Sequence, residues 1–342
     1  MSARPSFVHH LHPPTIPARE ARYWYTFGLG GISVFLCVVL LATGALELFF
    51  YVPTSTGANA SLQTMTLLVP YGRLVRSLHF WSAQILVLTS LLHMTRVVFT
   101  GAYKRPRRFN WLLGLSLLVL VLLFDFTGYV LRWDMDIAWA LLVGTNLLKS
   151  VPLLGEGLYG LVVGGTAIGS PTVGRFYSWH IYILTLVVFI LLAWHIFKVR
   201  RDGGISHSTR DSRSKARISR DALVNREVTA LFVATVLLLA VAALFPPQIG
   251  ANMDLQRLSP EASAPWFFLW IQQLLRLGSP FAMGVLVPVA LLGILALIPY
   301  LIDRSSEGAG DWFNRHGRAA QVILLGVGGL VLVFTLIAVL QS

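Results

Sequence analysis

Arg73-Leu-Val-Arg-Ser-Leu-His79-Phe-Trp-Ser-Ala-Gln-Ile-Leu-Val-Leu-Thr-Ser-Leu-Leu-His93-Met-Thr-Arg96-Val-Val-Phe-Thr-Gly-Ala-Tyr-Lys-Arg-Pro-Arg-Arg108 is an apolar run that carries two histidines and ends in a basic cluster. A second run, from Arg175 to Arg201, repeats the design with His180 and His195. The two spacings are 14 and 15 residues. At about 100° and 1.5 Å per residue, each pair falls near one face of a helix, roughly 21–22 Å apart along its axis. Two such helices facing each other bring His79 to one member of the second pair and His93 to the other. The result is two bis-histidine sites stacked across a membrane, each able to hold a haem iron.

A single histidine in a membrane helix more often bonds a neighbour or lines a polar path. Here, of nine histidines, four lie in long apolar segments, and they form two matched pairs. Glycines add to the pattern. Gly30 and Gly44 are 14 residues apart, as are Gly114 and Gly128, each pair within one apolar segment. Glycine in a helix interior costs about 1 kcal/mol relative to alanine, so a packing reason is expected. Close helix packing is the bland reading; the repeat of the histidine spacing favours notches that admit the flat faces of two porphyrins. Arg76, Arg96 and Arg175 lie three to five residues from their histidines on the surface side, placed to pair with haem propionates.

The chain of 342 residues is 56% hydrophobic and 12% charged, with mean hydropathy +0.70. That is an integral membrane protein. Seven spans are expected, at 24–51, 73–100, 111–131, 175–199, 227–245, 281–302 and 319–340, each long enough to cross about 30 Å of hydrocarbon. The lone Cys37 excludes an intrachain disulfide and a cysteine-based metal cluster. Residues 1–23, with His9, His10 and His12, read as a cytoplasmic tail without a cleavable signal. The net charge of +12 is not a nucleic-acid signature, because most of it falls in the tail, in 101–110, in 198–226 and in 303–318. Seven alternating spans put these on one side, the cytoplasmic one by the positive-inside rule, with the carboxyl terminus outside.

Residues 24–200 read as a four-helix, two-haem domain, 201–222 as a basic linker and 223–342 as a three-helix domain. The uncharged segment from Val52 to Pro70 reads as turn-rich. Short surface helices are expected around 137–148 and 156–163, and another within Ser263–Arg276.

Leu29-Gly-Gly31, Ala42-Thr-Gly44, Arg76-Ser-Leu-His79, His93-Met-Thr-Arg96, Gly101-Ala-Tyr-Lys-Arg-Pro-Arg107, Gly128-Tyr-Val-Leu-Arg-Trp133 and Arg175-Phe-Tyr-Ser-Trp-His180 follow one another in order. Together they resemble cytochrome b of quinol–cytochrome c oxidoreductases and its plastid and cyanobacterial relatives. The spacing is similar to the plastid-type branch, and the last three helices resemble its separate subunit four, fused here to the first part. The resemblance implies an all-α membrane protein whose first four helices hold two non-covalent haems b. His79 and His180 would ligate the outer, low-potential haem; His93 and His195 would ligate the inner one. It further implies an outer quinol-oxidation site, an inner quinone site, and a Rieske iron–sulfur protein or a c-type cytochrome, of one or several haems, as partner. A homodimeric complex in a prokaryotic cytoplasmic membrane follows from the same likeness.

Three positions depart from the family. Ala264-Pro265-Trp266-Phe267 stands where the family has Pro-Glu-Trp-Tyr, Leu131-Arg132-Trp133 where it has Leu-Pro-Trp, and Gly28 where the plastid branch attaches an extra haem through cysteine. No covalent haem is expected. Two acids, Asp125 and Glu47, lie in the outer half and are candidates, with Trp266, for the outer quinol site; intramembrane acids are costly and tend to be functional. Arg201, Asp202 and His207, beside Arg200, are candidates for the inner quinone site. Two other classes remain open: a haem-b membrane anchor of another quinone-linked oxidoreductase, and a transporter whose histidines relay protons.

Overall fold

The computed structural model describes residues 14–19, 21–206, 216–257 and 264–341. Among the described residues seven helices are long and apolar enough to cross a membrane: α1 (Leu29–Glu47), α3 (Gly72–Phe99), α4 (Arg108–Arg132), α7 (Ser170–Arg201), α8 (Arg220–Leu244), α10 (Pro280–Ile302) and α11 within Arg315–Leu340. Between them lie α2 (Ala58–Leu68), α5 (Met135–Lys149), α6 (Gly155–Val163) and α9 (Leu269–Leu274). Large apolar side chains on the spans point outward, such as Phe232, Val289 and Leu325. In water they would be a liability; facing lipid they are the favourable surface.

The first span is shorter than the sequence suggests. A single turn at Tyr23–Thr26 is cut from α1 by Phe27 and Gly28, whose φ values of 52° and 64° end one helix before the next begins. The expectation of an irregular Val52–Pro70 segment is corrected by α2, whose Asn59 and Met65 are buried and whose Asn59 amide donates to the Arg132 and Gly250 carbonyls. The surface helices at 137–148 and 156–163 appear as α5 and α6. Asp134 caps α5 by accepting from Ile137 N. Before α9, Trp266–Phe268 make one 3₁₀ turn; residues 258–263 lie outside the described residues.

The connections sort to two ends of the helix array. One gathers 101–107, 202–206, the residues before α1 and the loop after α10. There the Tyr25 hydroxyl lies within hydrogen-bonding distance of both the Ser206 and the Gly310 carbonyl, and Lys104 pairs with Asp303 at 2.9 Å, both buried. Tyr103 donates to the same carboxylate. Burial, together with Asp303, holds that phenol above its usual value, so it stays a donor. The expected linker and tail are partly ordered: β1 (Thr15–Pro17) pairs antiparallel with β2 (Arg217–Ser219). Residues 1–13 of the tail and 207–215 of the linker lie outside the described residues. The opposite end gathers α2, α5, α6, α9 and the strand-like stretch 245–253, tied by the Asp134–Asn252 bridge. Buried Asp134 accepts from Arg132 and from Gly250 N there, so Arg132, at the altered Leu-Arg-Trp, belongs to a structural ion cluster with Asp134 and Asp136.

Candidate functional site: two histidine pairs

Each histidine of α3 and α7 is backed by a glycine on a neighbouring helix. A Cβ built on Gly44 would stand 3.1 Å from His79 Cε1, and one on Gly30 3.3 Å from His93 Cε1; both glycines are on α1. On α4, a Cβ on Gly128 would stand 3.2 Å from His180 Cε1, and one on Gly114 3.3 Å from His195 Cε1. The notches therefore receive imidazole rings directly. The missing Cβ lets the Cε1 corner of each ring come close to the neighbouring helix, at the same positions where notches for porphyrin faces are expected.

Across the bundle His79 faces His180. The rings of His79 and His180 have centroids 6.4 Å apart, tilted by 56°. Two imidazoles sharing one metal ion at about 2.0–2.1 Å per nitrogen would place their centroids about 6.3 Å apart. At that separation His79 and His180 would both be able to hold one metal ion between them. Among the described residues no three His, Cys, Asp or Glu side chains converge. His93 and His195 both line a cavity of about 1450 Å³.

The unequal spacings have a structural cause. α7 contains a π turn at Trp179–Ile183, with Thr185 Oγ1 donating to the His180 carbonyl at 2.9 Å. A π turn holds one residue more than an α turn. The extra residue of the 15-residue interval is absorbed beside His180, so both helices present their histidines at matching heights.

Sequence reading missed two threonines. Thr43 Oγ1 lies 2.9 Å from His79 Nδ1 and Thr127 Oγ1 lies 2.8 Å from His180 Nδ1. Each precedes its notch glycine, a signal visible in the sequence as Thr-Gly on both helices. The glycines beside His93 and His195 follow Leu29 and Leu113 instead.

The arginines divide. Arg96 is buried, donates through Nε to the Tyr25 carbonyl at 3.2 Å, lies over the Tyr25 ring and lines the cavity; its Nη2 is buried without a hydrogen-bond partner. A buried guanidinium with a free N–H suits a propionate. Arg76 is buried too, donating to the Pro247 carbonyl, with Nε unpartnered. Arg175 is exposed, its stem packed at Gly164.

At the far end, Asp125 and Trp266 are joined through Gln84, a third residue that sequence reading missed. Trp266 Nε1 donates to Gln84 Oε1 at 2.7 Å, and Gln84 Nε2 donates to Asp125 Oδ1 at 3.0 Å. Asp125 Oδ2 is buried without a partner. Trp266 is 42% exposed and Asp125 6%, so the chain runs from the surface to a buried carboxylate. Phe267 is buried against Tyr129 and Phe268 and supplies no polar group. Glu47 stands apart from this chain, near His79 and Arg76, with Oε1 buried and unpartnered.

At the basic end Arg200, not Arg201, lines the cavity, with Arg107, Arg217 and Arg220. Arg201 pairs with Asp202 at 2.8 Å and is half-exposed. Arg107 donates to the Asp202 carbonyl at 2.9 Å; burial lowers its pKa, opposed by Asp202. His207 lies outside the described residues.

The family model described as "Cytochrome b(N-terminal)/b6/petB" matches residues 84–252, a stretch that holds His93, His180 and His195. A protein named cytochrome b6 from Acaryochloris marina (strain MBIC 11017) is 37% identical over 175 residues, 51% of this chain and 81% of that protein. A chain of a hyperthermophilic respiratory Complex III superposes with a TM-score of 0.74, covering 91% of this chain and 89% of that chain; at 20% identity it shares the fold.

Proposed function

This chain belongs to the cytochrome b family, and from that premise we propose that it is the two-haem b subunit of a bc-type quinol oxidoreductase complex. The observation that carries the reading is the fourfold match of histidine to glycine notch, with the His79 and His180 rings at the separation one iron would impose. When bound, the haems carry single electrons between the two sides of the membrane. His79 and His180 would hold the outer one, His93 and His195 the inner one. Arg96 and Arg76 would neutralise propionates; Arg175 is the weaker candidate, being exposed.

The chain's own residues then handle protons and quinone. Quinol gives up protons as it is oxidised, so a base must stand within reach. Pro265 has none. Asp125 takes that role, oriented by Gln84, with Trp266 at the mouth; Glu47 is the second candidate. On the basic side, the cavity beside His93 and His195 receives a quinone ring, with Arg200 supplying a donor; Asp202, paired with Arg201, and His207 are further proton carriers of the adjoining loop. Residues 24–200 form the dihaem part, 201–222 the basic linker and 223–342 the three-helix part. A Rieske protein or c-type cytochrome takes the other electron, in a homodimeric complex of a prokaryotic cytoplasmic membrane whose basic side is cytoplasmic.

The test is the reduced-minus-oxidised spectrum and haem content of the purified protein. Two extractable haems b per chain are expected. One haem, a haem that stays with the chain on denaturation, or no haem band would overturn the count; the last would return the histidines to a proton relay.

A further inference from the structure

We propose that Thr43 and Thr127 are positioning residues that hold His79 and His180 as Nδ1–H donors, and so make their centre harder to reduce than the His93–His195 centre. The inference rests on the reading that each pair holds a haem.

A hydroxyl has one hydrogen to give. Thr43 Oγ1 gives it to the Val39 carbonyl at 2.7 Å, with the Leu40 carbonyl at 3.3 Å. Thr127 Oγ1 gives it to the Phe124 carbonyl at 3.0 Å. What each oxygen turns toward its histidine is therefore a lone pair, and the ring nitrogen at 2.9 or 2.8 Å must be the donor. A neutral imidazole with its proton on Nδ1 has its free lone pair on Nε2. That leaves Nε2, the ring nitrogen with no threonine beside it, as the atom able to bind a metal.

Thr95 and Thr335 bond their own helix backbone, and Thr89 also accepts from Ser33 Oγ; none of them meets a histidine. Thr43 and Thr127 use the remaining lone pair. At the other pair the corresponding residues are Leu29 and Leu113, which offer no acceptor. A backbone carbonyl lies near one histidine of each pair, Phe124 at His180 and Asn110 at His195, so the backbone is common to both ends and the threonine hydroxyls are the difference. Donation from Nδ1–H raises the basicity of Nε2. A more basic ligand favours the metal's more positive, oxidised state.

The experiment is a redox titration of the intact purified complex with Thr43→Val and Thr127→Val, singly and together, and with serine at both positions as control. Absorbance reports both haems, and electron paramagnetic resonance of the oxidised sample reports their axial ligand fields. The double valine variant should shift the outer haem's reduction equilibrium about tenfold toward the reduced state, or 59 mV for one electron. The inner haem should stay put, and serine should restore the parent value. If valine removes the outer haem while serine keeps it, the hydroxyl is needed to orient the ring and the proposal stands. An unmoved outer haem, an equal shift of both haems, a serine variant that behaves like valine, or loss of the outer haem in both variants would overturn it. A parent protein without haem would instead sink the reading on which it rests.

Discussion

His79 and His180 each meet a threonine hydroxyl and sit where aromatic rings and a buried carboxylate close in. His93 and His195 have leucines at the equivalent places and open onto a cavity of about 1450 Å³ lined by Arg96, Arg107 and Arg200. The same two helices carry both pairs, and the same two neighbours back them, so neither helix packing nor ligand identity distinguishes the ends. The distinction lies in what surrounds the rings. Reduction adds negative charge, and cations nearby favour it by Coulomb attraction that weakens slowly in low dielectric. Hydrogen bonds from the ligand to an acceptor work the other way. Both differences would send an electron from the His79–His180 end toward the basic end.

The strongest way to break this comparison is to fill one notch at a time. Gly44→Leu or Gly128→Leu pushes a side chain into the ring of His79 or His180, where even a Cβ stands at 3.1–3.2 Å. Each should abolish the outer haem and leave the inner one. Gly30→Leu and Gly114→Leu should do the reverse. The spectrum of each purified variant decides. If any of the four loses both haems, or neither, the notches serve general packing and the two centres are not independently built.

The helices and the four histidines were legible because their signals are local: hydropathy, spacing, and glycine where a helix would otherwise avoid it. Asp125 and Trp266 were legible as types, but not as partners, because Gln84, which joins them, lies 41 positions from one and 182 from the other. α2 was hidden by its modest apolarity and by Gly57 and Pro70 at its borders, which read as turns. The β1–β2 ribbon pairs Thr15 with Ser219, and no local pattern announces such a contact. Thr43 and Thr127 were in plain view and unread, since a threonine in a membrane helix ordinarily bonds its own backbone. The π turn was announced by the unequal spacing, yet only the backbone shows where the surplus residue goes.

A smaller effect sharpens the chemistry at the threonine-lined end. Asp125→Asn keeps the shape and removes the base, so quinol-driven reduction of the outer haem should slow about a hundredfold. Trp266→Phe cuts the chain one bond earlier and should cost about tenfold, near the worth of one buried hydrogen bond. Glu47→Gln, outside the chain, should matter less than Asp125→Asn. Stopped-flow measurement in the intact complex reads all three. Parent rates for both acid variants would show that neither accepts the proton.

The smallest effect tests the opposite end, between adjacent arginines. Arg200 lines the cavity, whereas Arg201 turns out to the half-exposed pair with Asp202. A solvent-screened pair of that kind is worth about 0–1 kcal/mol, so Arg201→Gln should leave reoxidation of the inner haem by quinone within about twofold of the parent. Arg200→Gln removes a charge that faces the ring site and should slow the same step several-fold. Its effect should persist at high salt, because charges facing an enclosed cavity are poorly screened. The reverse order would place the quinone oxygens by the loop, on the Arg201 side, and would withdraw the cavity as the inner site. Equal, salt-sensitive losses in both variants would mean that the basic end acts as a diffuse field, without a residue that touches the ring.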